Sequence, residues 1–91
     1  MSDRASTRVK IVNKLGLHAR PAMSLAEIAK KYDSDVALKR GDQKIDAKSV
    51  MEIMLLAATF GTELLIEAEG EDARECVEAL RELIDRGFDE E

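Results

Sequence analysis

The hydrophobic period of this chain switches repeatedly between two residues and about 3.6, and that switching limits its fold more than any other feature. Residues 7–12, TRVKIV, set Val9 and Ile11 on one side against Arg8 and Lys10 on the other. The segment ARPAMSLAEIAKKY then puts Ala22, Leu25, Ala26, Ile28, Ala29 and Tyr32 on one broad helical face, with Glu27, Lys30 and Lys31 opposite. DVALKR and QKIDA alternate again, with Gly41 and Asp42 between them as a tight hairpin turn. SVMEIMLLAA opens with Ser49 and carries Glu52 three residues on, the capping-box spacing of a short second helix. TELLIEAE returns to period two with Leu64, Ile66 and Ala68 aligned, and Gly70 stops it. From Glu71 or Asp72 to Arg86, Ala73, Val77, Leu80 and Ile84 form a stripe flanked by Cys76 and Leu83. Gly87 follows as a left-handed cap, with Phe88 folding back and the acidic tail 89–91 in solvent. The order β-α-β-β-α-β-α, with single-faced strands, predicts an α+β fold: a four-stranded, mostly antiparallel sheet covered on one side by three helices.

Ninety-one residues, 45% hydrophobic and 36% charged, are enough for one domain and too ordinary in composition for disorder. The ordered part is expected over about residues 6–88. A net charge of −5 repels phosphate backbones, and Tyr32, Phe60 and Phe88 are too few for a base-stacking platform, so nucleic acid is a poor partner. No apolar run reaches the length of a membrane span. The opening MSDRASTRVK lacks a hydrophobic signal region, and Cys76 has no second cysteine to pair with. Both fit the reducing cytoplasm. A single His and a single Cys also make no zinc cluster.

The chemistry concentrates in LGLHARPAM, residues 15–23, which holds the sole histidine and the sole proline. His18 falls where the loop meets the first helix, next to amides that have no intrahelical partner. The helix dipole there attracts anions and disfavours an imidazolium, which leaves a neutral, nucleophilic ring. A phosphoryl group on that ring would meet the amides of Ala19 and Arg20 and the forked donors of the Arg20 guanidinium. Gly16 permits a sharp turn before the imidazole and keeps that side uncrowded, while Pro21 stiffens the first helical turn. Read singly, each of these residues is equally compatible with a surface histidine, loop punctuation and a solvated arginine.

Together they are more specific. GLHARPA, with a strand before it and an amphipathic helix after, resembles the active-site signature of the HPr family, the phosphocarriers of the bacterial phosphoenolpyruvate-dependent phosphotransferase system. The likeness runs from about Thr7 to Phe88 and includes AKSVMEIM and the AEGEDA turn. It implies an open-faced β-sandwich with strand order 1-4-2-3. His18 would receive a phosphoryl group on Nδ1 from enzyme I and pass it to a IIA protein or domain, with Arg20 assisting. Ser49 would match the serine modified by HPr kinase/phosphorylase, although Ser followed by Glu caps a helix with or without a kinase. Leu17, Val50, Met51 and Met54 would be exposed near the two helix starts as the docking surface. NKLGLHARPAM and RGFDEE look more like the nitrogen-related variant, whereas KSVMEIM looks like kinase-regulated carriers.

The resemblance implies no cofactor and no metal, and the lack of a heptad seam or a long exposed apolar strand fits a monomer. Two rival readings stand beside the carrier. An enzyme using His18 would need a substrate pocket and a second acid or base, and none is apparent around the histidine in sequence. A docking-only regulatory module would leave His18 idle.

Overall fold

The computed structural model describes residues 3–90. Its elements run β1 (Arg4–Lys10), α1 (Ala19–Lys30), β2 (Asp35–Arg40), β3 (Gln43–Asp46), α2 (Val50–Leu55), β4 (Glu63–Glu69) and α3 (Ala73–Asp85), ending in a single turn at Gly87–Asp89. The strands form one sheet in the order β1-β4-β2-β3, and every neighbouring pair is antiparallel. β4, last in sequence, is thus central: Leu64 and Ile66 lie opposite Val9 and Thr7 on one side, and Ile66 lies opposite Leu38 on the other.

Alternation decides which face is covered. Val9, Val36, Leu38, Ile45, Leu64, Ile66 and Ala68 are buried and point to the helices. Arg4, Arg8, Lys10, Asp35, Glu63 and Glu69 are exposed, and the Arg4–Glu69 and Lys44–Glu67 pairs cross that polar face. α3 lies against β1 and β4, while α1 packs on α2 and α3. Their apolar stripes meet the sheet through Leu25, Ala26, Ala29, Ile53, Val77, Leu80 and Ile84. Each fully buried leucine or isoleucine contributes about 1.5–3 kcal/mol relative to exposure, so an aliphatic core suffices without aromatic bulk.

The strand expected at residues 7–12 lies at Arg4–Lys10 instead. Its early residues pair with β4 through backbone bonds that need no apolar alternation, so Arg4 to Ser6 carry no hydrophobic signal. At the other end Ile11 still exchanges bonds with Thr62 and Gly61, at 2.9 and 2.7 Å, but Val12 turns outward. The capping box on α2 is only half formed. Ser49 Oγ accepts from the Glu52 amide at 3.2 Å, whereas the Glu52 carboxylate accepts from the Asp46 amide rather than from that of Ser49. No helix among the described residues is long and apolar enough to cross a membrane.

Candidate functional site

His18 is the N-cap residue of α1, with an extended backbone (φ −77°, ψ −173°) and a side chain that does not cap the helix. Two backbone bonds fix it: its own amide donates to Gly16 O at 3.0 Å, and its carbonyl accepts from the Ala22 amide at 3.0 Å. Pro21 has no amide to offer, so Ala19 and Arg20 supply the donors that open the helix without an intrahelical partner. The imidazole is 36% exposed and stands beside them, at the positive end of the helix dipole.

The loop that carries the ring is pinned from behind. Gly16 has φ +68°, and a Cβ there would run into the backbone of Ala58 and Thr59. The glycine is required by this close approach, and the side expected to be left open is filled by the α2–β4 loop. Next to it the Leu17 amide donates to Ala58 O at 2.9 Å. This contact draws Leu17 inward to 5% exposure, so it belongs to the core and not to the expected docking surface.

Apolar exposure at this end lies elsewhere. Met51 is 79% exposed, Met54 is exposed as well, and Val50 is half-buried against the core. Leu15, Met23, Leu55 and Phe60 are also exposed, and sequence reasoning had not assigned them to the surface. Leu55 follows Met51 by one helical turn, a spacing visible in sequence, whereas Leu15 and Phe60 sit in loops without periodicity.

The larger surprise is the tail. Residues 87–90 fold back over the β1–α1 loop, and the Glu90 carboxylate accepts from His18 Nε2 at 2.9 Å through Oε2, with Oε1 at 3.2 Å. Asn13, 3% exposed, donates through Nδ2 to Glu90 Oε1 at 3.0 Å and to Gly16 O at 2.8 Å. These bonds hold the Glu90 carboxyl below the usual glutamate range, the His18 hydrogen bond first among the causes, with help from Asn13 and from positive charge at His18 and Arg20. The expected solvated tail is therefore corrected at Glu90, and Glu91 lies outside the described residues. The histidine also has a carboxylate beside it after all. An ionised carboxylate only accepts, so Nε2 is a protonated nitrogen, and in the neutral form of the ring the lone pair falls on Nδ1. Among the described residues nothing hydrogen-bonds to Nδ1.

Arg20 is exposed and makes no ion pair among the described residues, so its guanidinium is free to bind an anion at the start of α1. Ser49 stands at the start of α2, half-buried, its hydroxyl engaged with Glu52. Cys76 is fully buried on α3, where burial pushes its thiol up to about 11, which makes it a packing residue rather than a nucleophile. No cluster of His, Cys, Asp and Glu suited to a metal ion occurs among the described residues.

Comparison with known proteins bears on the family and the fold. The family model described as "PTS HPr component phosphorylation site" matches residues 5–86. A phosphocarrier protein HPr of Cupriavidus necator is 42% identical over 80 residues, covering 88% of this chain and 90% of the relative. A phosphocarrier protein NPr of Shewanella violacea is 37% identical over 83 residues, 91% of each chain. Among solved structures, a crystal structure of HPr from Thermoanaerobacter tengcongensis superposes with a TM-score of 0.92 at 39% identity, covering 96% of this chain and 98% of the other.

Proposed function

The chain belongs to the HPr family of phosphocarrier proteins, and on that premise we propose that His18 accepts a phosphoryl group from enzyme I and hands it to a IIA protein or domain. The observation that carries this reading is the division of labour on the ring. Nε2 is held by Glu90, Nδ1 has no hydrogen-bond partner among the described residues, and the next two residues, Ala19 and Arg20, bring two amides without an intrahelical partner and an exposed guanidinium to the same helix start. An incoming phosphoryl group would put its oxygens on those donors. The protein acts as a carrier between two partners, in the cytoplasm and as a monomer, with no turnover of its own and no cofactor or metal. The charged open face of the sheet supports the monomer.

Docking of both partners falls to half-buried Val50 and exposed Met51 and Met54 on α2, joined by the exposed Leu15, Met23, Leu55 and Phe60. Methionine adapts to more than one partner surface. Phosphorylation of Ser49 by HPr kinase/phosphorylase would put a dianion at the start of α2, next to Val50 and Met51. The helix start would tolerate it, but a partner burying Met51 would not. Relatives carry both HPr and NPr names, so the acceptor is of the sugar or of the nitrogen-regulatory type.

Incubation with enzyme I, Mg²⁺ and phosphoenolpyruvate tests the central reading. One acid-labile, base-stable phosphate per chain is expected, absent in His18→Ala and formed about 10- to 100-fold more slowly in Arg20→Ala, which loses a charged donor to the transferred group. Labelling that survives in His18→Ala would overturn the assignment.

A further inference from the structure

We propose that Glu90 is a positioning residue whose carboxylate keeps one proton on Nε2 of His18 through the whole phosphoryl cycle, so that the group is taken up and given away without any proton transfer. The inference rests on the reading of His18 as phosphoryl acceptor and adds a role for a residue that the family signature does not contain.

Atoms and charges balance along both legs. In the resting ring Nε2–H donates to Glu90 and Nδ1 carries the lone pair. That pair attacks phosphorus, the new P–Nδ1 bond forms, and the donor's P–N bond breaks with its electrons returning to the donor nitrogen. The product is an Nδ1-phosphorylated imidazolium, positive on the ring, whose Nε2–H still faces the Glu90 carboxylate. On the second leg an acceptor nitrogen attacks phosphorus and the P–Nδ1 bond breaks. Its electron pair returns to Nδ1, and a neutral imidazole with the same Nε2–H departs. Without the carboxylate, the phosphorylated ring can lose the Nε2 proton to water. It would then have to leave as an imidazolate, a far poorer leaving group. The carboxylate–imidazole pair thus does for this ring what a buried Asp does for the histidine of a hydrolytic triad: it fixes tautomer and orientation and stabilises the cation.

The surrounding structure is built to keep the carboxylate there. Asn13, almost fully buried, grips Glu90 Oε1 and Gly16 O with the same Nδ2, so the loop bearing the ring and the tail bearing the acid move as one. The tail reaches this position only through three successive left-handed residues, Gly87, Phe88 and Asp89, with φ +65°, +57° and +60°. For the two that are not glycine this conformation is unfavourable, and burial of Phe88 compensates for it. A tail with no task at its end has no reason to adopt this path.

Glu90→Gln in the full chain tests the proposal, since it preserves size while removing the charge. The protein is loaded with enzyme I and phosphoenolpyruvate, the donor is removed, and loss of the phosphate to water is followed at pH 8. The expected result is a phosphohistidine that lives about tenfold longer or more in Glu90→Gln, the size of effect set by one charge-assisted hydrogen bond. The imidazole Nε2–H signal in ¹H–¹⁵N spectra should be slow to exchange in the parent and fast in the variant. Glu90→Asp, which keeps the charge at a longer reach, should fall between them. Equal lifetimes and equal exchange in all three would overturn the role of Glu90. That failure is distinct from failure of the carrier reading, which shows instead as labelling independent of His18.

Discussion

Two carboxylates in this molecule have the same job description and opposite surroundings. Asp72, the residue before α3, accepts from the amides of Asp33 and Ser34 at 2.8 and 3.0 Å and from the Ser34 hydroxyl. Glu90 accepts from His18 and Asn13. Each ties a distant segment to the start of a helix, and each is held below its ordinary value, Asp72 chiefly by the Ser34 hydroxyl and Glu90 chiefly by His18. The difference lies in what remains after the bonds are made. Ser34 is buried and its donors are consumed, so the Asp72 end is closed. At the Glu90 end one ring nitrogen, two amides and a guanidinium remain uncommitted among the described residues. The candidate site is marked here by unspent hydrogen-bonding capacity beside a fixed scaffold, not by the presence of a carboxylate or a depressed pKa.

Exchanging the roles should expose this contrast most strongly. Asp72→Ala strands the buried Ser34 hydroxyl and two amides, and a fall in thermal midpoint of roughly 5–10 °C is expected, with His18 labelling unchanged. Glu90→Gln should do the reverse, changing the phosphohistidine lifetime with little shift in midpoint. If both variants lost stability equally, the distinction between the two ends would fail.

Acid titration is a milder probe of the same pair. A carboxyl whose folded pKa lies below its unfolded one contributes stability at all pH above the unfolded value, and loses it as pH falls through the folded value. Both groups are of this kind. Stability should therefore be flat with pH above the ordinary carboxylate range and decline below it. The decline should be shallower in Asp72→Asn, as read from urea midpoints between pH 6 and 2.5.

The third helix start offers the smallest effect on the fold. Ser49→Asp replaces one good N-cap by another, so stability should stay within about 0.5 kcal/mol. The added charge beside Met51 should nevertheless slow loading by enzyme I. Equal loading rates in parent and variant would remove Ser49 from the docking surface.

Much of the closed end was legible from residue order, and less of the open end. Leu64, Ile66 and Ala68, or Val36 and Leu38, announce their strand faces because alternation is local and the sheet satisfies it directly. Ser49 and Glu52 mark a helix start for the same reason, although Glu52 finds Asp46 instead of the expected amide. His18 and Arg20 stand out as one short motif. Leu17 misleads because its burial comes from a bond to Ala58, forty-one residues on. Glu90 was invisible: Gly87 signals a turn, but left-handed Phe88 and Asp89 do not follow from their side chains, and nothing in RGFDEE says which acid meets the ring. Contacts closed by long-range backbone geometry are the ones that periodicity cannot report.

Pro21 has one more effect. Had any other residue stood there, the first turn of α1 would present a third free amide, enough to match each terminal oxygen of a phosphoryl group with its own backbone donor. With two amides and one exposed side chain, a phosphoryl group bound there as proposed would be gripped from one side only, its remaining flank open to a partner. A messenger has to let go, and on the proposed reading the proline would leave the grip incomplete.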